Sequence, residues 1–435
     1  MVQEAYISLY KEQSEIIDSH SADLLNINRA AACEYLSKLG LSIYAQEYER
    51  DFGLNINRYR INADPYLSFK CDVPNIGAYI FFVLNDTFYP NSKQSKLPEG
   101  VIVCGLSEAI IKYSDLVKPY INRQMTINSD GNQAFNAMFA QDGLFVYIPK
   151  GLKMDKPLQL INLMHGNSDI LAVSHNLIIL EEDSSAQLLI CDHVSGDSHY
   201  LTNRVTEVFV GKNAVYEHYK LENTHEKMTN ICSLLLDQAD NSEVLSNIIT
   251  LHNNKTRNTV VANINGSHSS LSLNGLVLGD KDQNIDNTTT INHIEADSSS
   301  TELFKYVLDG QAKGKFYGMV KVYPNAQKTS AIQTNRNICI SKKANMQTKP
   351  QLEIYADDVK CNHGATVGQL DENALFYLRS RGISEQESRM LLMYAFVHDV
   401  LENVRLDALK DRLKLLIEKR LRGELSKCNG CVICK

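Results

Sequence analysis

Between Pro157 and Pro324 apolar and polar residues alternate with the period of β-strands, most clearly in LSLNGLVL at 271–278 and TVVANIN at 259–265. Small polar turns interrupt this alternation at a nearly constant step: Asp183-Ser184-Ser185, Gly211-Lys212-Asn213, Asp240-Asn241-Ser242, Ser267-His268-Ser269, Asp297-Ser298-Ser299 and Asn325-Ala326. Their spacings are 28, 29, 27, 30 and 28 residues. A period in this range is the signature of a solenoid, in which each coil buries its apolar face only by stacking on the next. Proline cannot donate to a strand ladder, and none of the nine prolines falls between Pro157 and Pro324, so the span is free to pair throughout. A β-sandwich with evenly spaced turns is the alternative. The step favours a mainly β fold, a right-handed parallel β-helix with helical regions at both ends.

The flanks carry a different period. Residues 1–65 read as mainly helical, with apolar positions three and four apart from Asn28 to Tyr48. From Pro65 to Tyr120 the prolines, Asn85-Asp86 and the LPEG at 97–100 predict turns between short strands and a helix. Past the solenoid, Asp371 is placed to cap a helix that ends at Gly382, and Ser384 with Glu387 has the spacing of a capping box for a second helix through Met390, Leu391, Tyr394, Val397 and Leu401. A third helix is predicted over 406–421, with Leu409, Leu413, Leu416 and Ile417 on one face. The expected division is therefore 1–120 as a helical adapter region, 121–365 as the β-helix, 366–425 as a C-terminal helical domain and 426–435 as a cysteine-rich tail.

Charge and composition narrow the classes. A net charge of -7 argues against nucleic acid as a partner. The longest apolar run near the start, Ala78 to Leu84, is too short to span a bilayer, so the chain is expected to be cytoplasmic, away from membranes. The absence of tryptophan suits a narrow core of stacked aliphatics. The ten cysteines are expected as thiols or metal ligands in a reducing compartment. Cys33, Cys104, Cys191, Cys232 and Cys339 lie in apolar surroundings and read as core packing. His175, His193, His218 and His293 are scattered, match no ligand spacing and read as surface or satisfied core residues.

Two places carry candidate chemistry. Cys361 and His363 are one residue apart, so in extended backbone they leave one face about 6–7 Å apart. A soft thiolate beside an imidazole suits iron, zinc or sulfur chemistry. Two ligands do not close a site, so a second chain or segment must supply the rest. A structural role, with Cys361 under the last coil and His363 bonded to a turn, is the competing reading. In the tail, Cys428, Cys431 and Cys434 have C-x2-C-x2-C spacing, the start of a ferredoxin-like ligand run without its fourth cysteine. Metal or cluster binding there stands beside a redox-sensitive or incidental tail.

The segments ELFKYVLDG, AQKTSAIQTNRN, TKPQLEIYADDVKCNHGATVGQLDE and LFYLRSRGI resemble the SufD branch of the SufB/SufD family of iron-sulfur cluster assembly scaffolds, and FAQDGLFVYIPKGLKMDKP at 139–157 extends the likeness. The resemblance implies a β-helix between helical termini, a non-enzymatic scaffold without a nucleotide site, and a SufB-like paralogue as partner. It also implies a SufC-like ABC-type ATPase, which hydrolyses ATP and docks on the C-terminal helices; Leu375, Phe376, Tyr377, Arg379, Tyr394 and Val397 are the residues expected to meet it. By the same resemblance His363, with Cys361 beside it, takes part in building a transient cluster, or binding iron, at the interface with the paralogue. A SufB-like chain would carry acidic residues flanking that histidine, whereas here the run is Cys-Asn-His-Gly. The alternatives are a SufB-like paralogue that itself carries the nascent cluster and a carbohydrate-active β-helix enzyme. The latter would need a cluster of catalytic carboxylates, and no such pair is evident in the sequence.

Overall fold

The computed structural model describes residues 2–41, 53–54, 71–74, 76–90 and 96–423. Its centre is a solenoid of two ten-stranded sheets, and successive strands from Leu158–His165 to Lys360–Gly368 alternate between them. Every ladder between these strands is parallel. Ser185, Val215, Glu243, Ser270, Ser299, Ser330 and Lys360 form one register column, so each coil takes 27 to 31 residues. That is the period read from the turns.

The turns explain why the period holds. Asp183, Asn213, Asn241, His268 and Asp297 all have φ between 55° and 61°, the left-handed conformation that short polar side chains tolerate best. Each belongs to a predicted turn. The turns stack, with the Asp183 amide donating to the Lys212 carbonyl and the Asn213 amide to that of Asp240 at 2.9 Å. Beside them runs an inner-corner column of small residues, Ser184, Ala214, Ser242, Ser269 and Ser298, all buried. A larger side chain there would push the corner outward.

Inside the coils aliphatic and aromatic side chains stack in one continuous core that includes Leu188, Tyr216, Val244, Leu271, Phe304 and Phe316. Over the first coils the outer face of one sheet is capped by the buried helix Gly131–Phe139, itself started by Asp130, which packs on Leu171, Val173, Leu201 and Ile231. Asn136 donates to the carbonyls of Ser174 and Asn203 in two successive coils. Arg29, buried on the helix Arg29–Leu39, donates to the carbonyls of Met138 and Ala140 and ties the first helices to this cap. The helix predicted to reach Tyr48 ends at Gly40, where φ is +68°; residues beyond Leu41 in that segment lie outside the described set. Asn85 and Asp86 form the predicted turn, both with positive φ, and their hairpin places Tyr79–Leu84 in parallel beside Leu158–His165.

The three C-terminal helices are Glu372–Ser380, Glu385–Glu402 and Asp407–Leu421. Asp371 caps the first through the amides of Asn373 and Ala374, and Gly382 follows it with φ +85°. Ser384 accepts from the Glu387 amide, but the Glu387 carboxylate turns to Arg422 at 2.6 Å, so the capping box is only half made. The second and third helices fold back onto the outer face of one sheet. Val397, Val400, Leu401, Leu409, Leu413 and Ile417 pack there against Leu189, Tyr219, Leu245, Ile249 and Leu276.

Candidate functional site

Cys361 and His363 lie on Lys360–Gly368, the last strand of its sheet, which among the described residues pairs only with Ser330–Cys339. Asn345–Ile354 is likewise last in the other sheet and among the described residues pairs only with Lys313–Val322. No helix among the described residues covers this end, so two strand edges and the rim of the core stand open together. Natural proteins seldom leave such edges unpartnered. Ile332, Ile354, Tyr355 and Val367 are exposed around it.

Register fixes where the two side chains point. Cys361 stacks on Ala331 and His363 on Gln333, both inward-facing positions of the coil below. In any earlier coil these would be core residues. With no further coil on top, Cys361 is half-buried and His363 exposed. Burial pushes the Cys361 thiol above its ordinary pKa, against a backbone hydrogen bond involving Ala331. Beneath His363 the column continues to Gln333, which donates to Glu302 at 2.6 Å. Burial pushes the Glu302 carboxyl up to about 7, against hydrogen bonds from Thr289 and Gln333. A polar file thus runs from the core to the open end.

A second cysteine-histidine group lies on the outer face of the same sheet. Cys191 and His193 share the strand Ser185–Ser195 with the same one-residue spacing, and Cys71 reaches them from the covering segment 71–74. The candidate ligand atoms of the three lie within 4.8 Å of one another. The Cys71 sulfur is 3.1 Å from His193 Nε2. A hydrogen bond with the Cys191 thiol holds Cys71 well below the ordinary thiol range, and Cys191 is raised in turn. Burial opposes protonation of His193, but the Cys71 sulfur together with Asp72 and Asp192 outweighs it and the imidazole is pushed up to about 9. Cys191 is buried in an apolar cluster and His193 is a buried, partnered histidine, as expected; what that reading did not foresee is that Cys71 joins them in one group. The signal was in the sequence, since Cys191-Asp192-His193 repeats the pattern of Cys361-Asn362-His363, but Cys71 is 120 residues away from Cys191 and only the fold brings it in. The three other histidines read as scattered are satisfied core residues: His175 meets Glu207 at 2.8 Å, His218 meets Tyr216, and His293 is held by Ser298 and Ser300.

Comparison with known proteins settles the family. The family profile described as "SUF system FeS cluster assembly, SufBD core domain" matches residues 163–396, and "SufBD protein N-terminal region" matches residues 1–160. The chain belongs to the SufBD family. It is 33% identical over 293 residues to the iron-sulfur cluster assembly protein SufD of Escherichia coli, covering 65% of this chain and 68% of that protein. It is 27% identical over 328 residues to SufD of Bacillus subtilis, covering 74% and 75% of the two chains. A SufBD family protein of Synechocystis is 28% identical over 353 residues, covering 78% and 76%. The chain is a SufD-type scaffold protein of SUF iron-sulfur cluster assembly.

On this SufBD scaffold the expected ATPase-docking residues separate. Phe376 and Tyr377 are 74% and 57% exposed, Arg379 is exposed, and Leu375 and Tyr394 are half-buried. Val397 is fully buried against the sheet and cannot meet a partner, because the second helix turns that face inward. Leu375, Phe376 and Arg379 line a groove of about 360 Å³ with Ile340, Glu385 and Arg389. Cys428, Cys431 and Cys434 lie outside the described residues. No described helix is long and apolar enough to cross a membrane.

Proposed function

We propose that the open end of the solenoid is one half of a cluster-assembly site, completed by a SufB-like paralogue that joins its own last strands to Asn345–Ile354 and Lys360–Gly368. The supporting observation is that Cys361 and His363 occupy core register in a coil that has no coil above it. Two soft ligands cannot close around iron by themselves. They suit a nascent cluster that passes through as cargo and draws its other ligands from the partner.

In this reading the scaffold is non-enzymatic and cytoplasmic. His363 presents an imidazole to iron or moves protons at nascent sulfide, and Cys361 adds a thiolate. A SufC-like ABC-type ATPase docks on the helix Glu372–Ser380 around Phe376 and Tyr377 and supplies the nucleotide chemistry.

The test is anaerobic cluster formation on the co-purified complex carrying His363→Ala or Cys361→Ser. Loss of the cluster with the complex still assembled is expected for His363→Ala. Normal cluster yield in that variant would end the reading.

A further inference from the structure

The outer-face group of Cys71, Cys191 and His193 is distinct from the open end. It sits beneath the C-terminal helices, where Leu189 and Leu221 meet Val73 and Ile76. We propose that these three residues form a binding site for one divalent transition ion of the zinc type, which fastens segment 71–74 to the solenoid.

The donor set is the first ground. Two thiols and an imidazole are the ligands such ions prefer, with bonds of about 2.0–2.3 Å, which put tetrahedral ligands about 3.5–3.8 Å apart. The three ligand atoms, all within 4.8 Å of one another, meet that spacing with small side-chain movements. His193 is already presented by Nε2. Its other nitrogen, Nδ1, faces the Asp72 carboxylate at 3.8 Å, outside hydrogen-bond reach but on the side from which a carboxylate orients a ligating histidine once it closes up. Asp72 is itself held by the Asn223 amide at 2.7 Å and, through its carbonyl, by Arg412.

The sulfurs are supported in the same way. The Val73 amide donates to Cys71 Sγ at 3.4 Å, and the Gln159 side-chain amide lies 3.5 Å from Cys71 Sγ and 3.9 Å from Cys191 Sγ. Donors aimed at both sulfurs match thiolates better than packed thiols. Binding displaces to solvent the protons held among the two sulfurs and His193 Nε2, so that two thiolates and a neutral imidazole face the ion, and it changes no oxidation state. Three protein ligands leave a fourth position for water.

The experiment uses the full chain with Cys361, Cys428, Cys431 and Cys434 replaced by serine, so that the other candidate thiol ligands are silent. After anaerobic chelator treatment it is titrated with Co²⁺. One bound equivalent with thiolate-to-cobalt charge-transfer absorption is expected, displaced by Zn²⁺ and lost in Cys191→Ser. Because Cys191→Ser could unfold, alkylation of the intact site is mapped by mass spectrometry. Zn²⁺ should block modification of Cys71, the partly exposed thiol of the pair. Absence of the charge-transfer band, equal alkylation with and without Zn²⁺, or a Cys71–Cys191 disulfide in anaerobically prepared protein would each overturn the proposal.

Discussion

Replacing His363 by alanine separates a structural histidine from a functional one, and His293 supplies the internal control. His293 is fully buried, with its two ring nitrogens 2.7 and 2.8 Å from the Ser298 and Ser300 hydroxyls. Its truncation leaves two buried hydroxyls without that partner and a cavity, a loss on the order of 3 kcal/mol. His363 is exposed, and no hydrogen bond to it is found among the described residues. Its truncation should change stability by no more than about 0.5 kcal/mol. Denaturant unfolding followed by circular dichroism measures both variants under one set of conditions. Anaerobic cluster formation on the complex is then read from sulfide-to-iron absorption. The expected pattern is a destabilised His293→Ala, and a His363→Ala of normal stability and partner binding that forms no cluster. Equal destabilisation of the two would show that His363 is held by contacts this geometry lacks, and the argument from the open coil would fail.

Phe376→Asp together with Tyr377→Asp should abolish ATPase association in a pull-down while unfolding moves by no more than about 0.5 kcal/mol, since both rings are exposed; retained association would move the docking surface elsewhere. Glu302 should make stability fall with rising pH. Its folded pKa of about 7 lies above the ordinary 4.5, so between those values the folded state keeps a proton that the unfolded state has lost. Glu302→Gln should remove a slope worth on the order of 3 kcal/mol across that window, seen as a difference from the parent in denaturation series at pH 4.5 to 7, and parallel curves would refute it. In anaerobically prepared protein, replacing Cys428, Cys431 and Cys434 by serine should lower bound iron or zinc, and equal metal content would return the tail to an incidental role.

The solenoid was legible because its turns are chemically marked. Asp183, Asn213, Asn241, His268 and Asp297 each supply the left-handed residue at a corner, and a small residue follows on the inside. Such corners recur at the coil length, so reading them is reading the fold. The C-terminal helices were legible from Asp371, Ser384 and Gly382 for the same local reason. Their packing was not. Val397 has helical spacing with Tyr394 and Leu401, and periodicity names an apolar face without saying whether the sheet or another protein covers it. Nor could it show that Glu387 would leave the capping box for Arg422, since the two residues are 35 positions apart and only the folding of one helix against the next brings them together.

The two Cys-x-His pairs show how much one register step decides. Cys361 and His363 fall on the inward parity, where Ala331 and Gln333 precede them, whereas Cys191 and His193 fall on the outward parity, alternating with the inward Ile190, Asp192 and Val194. An inward pair anywhere in the middle of the solenoid would be sealed by the coils on both sides and could meet no partner. Only in the last coil does inward parity give access, and there it points along the stacking axis, towards whatever extends the sheets. An outward pair meets the covering segment of its own chain instead, and Cys71 arrives with that cover. The same spacing therefore yields a face that needs a second protein in one place and a self-contained cluster in the other. Moving either pair by one residue would exchange the two environments, because side chains alternate faces along a strand.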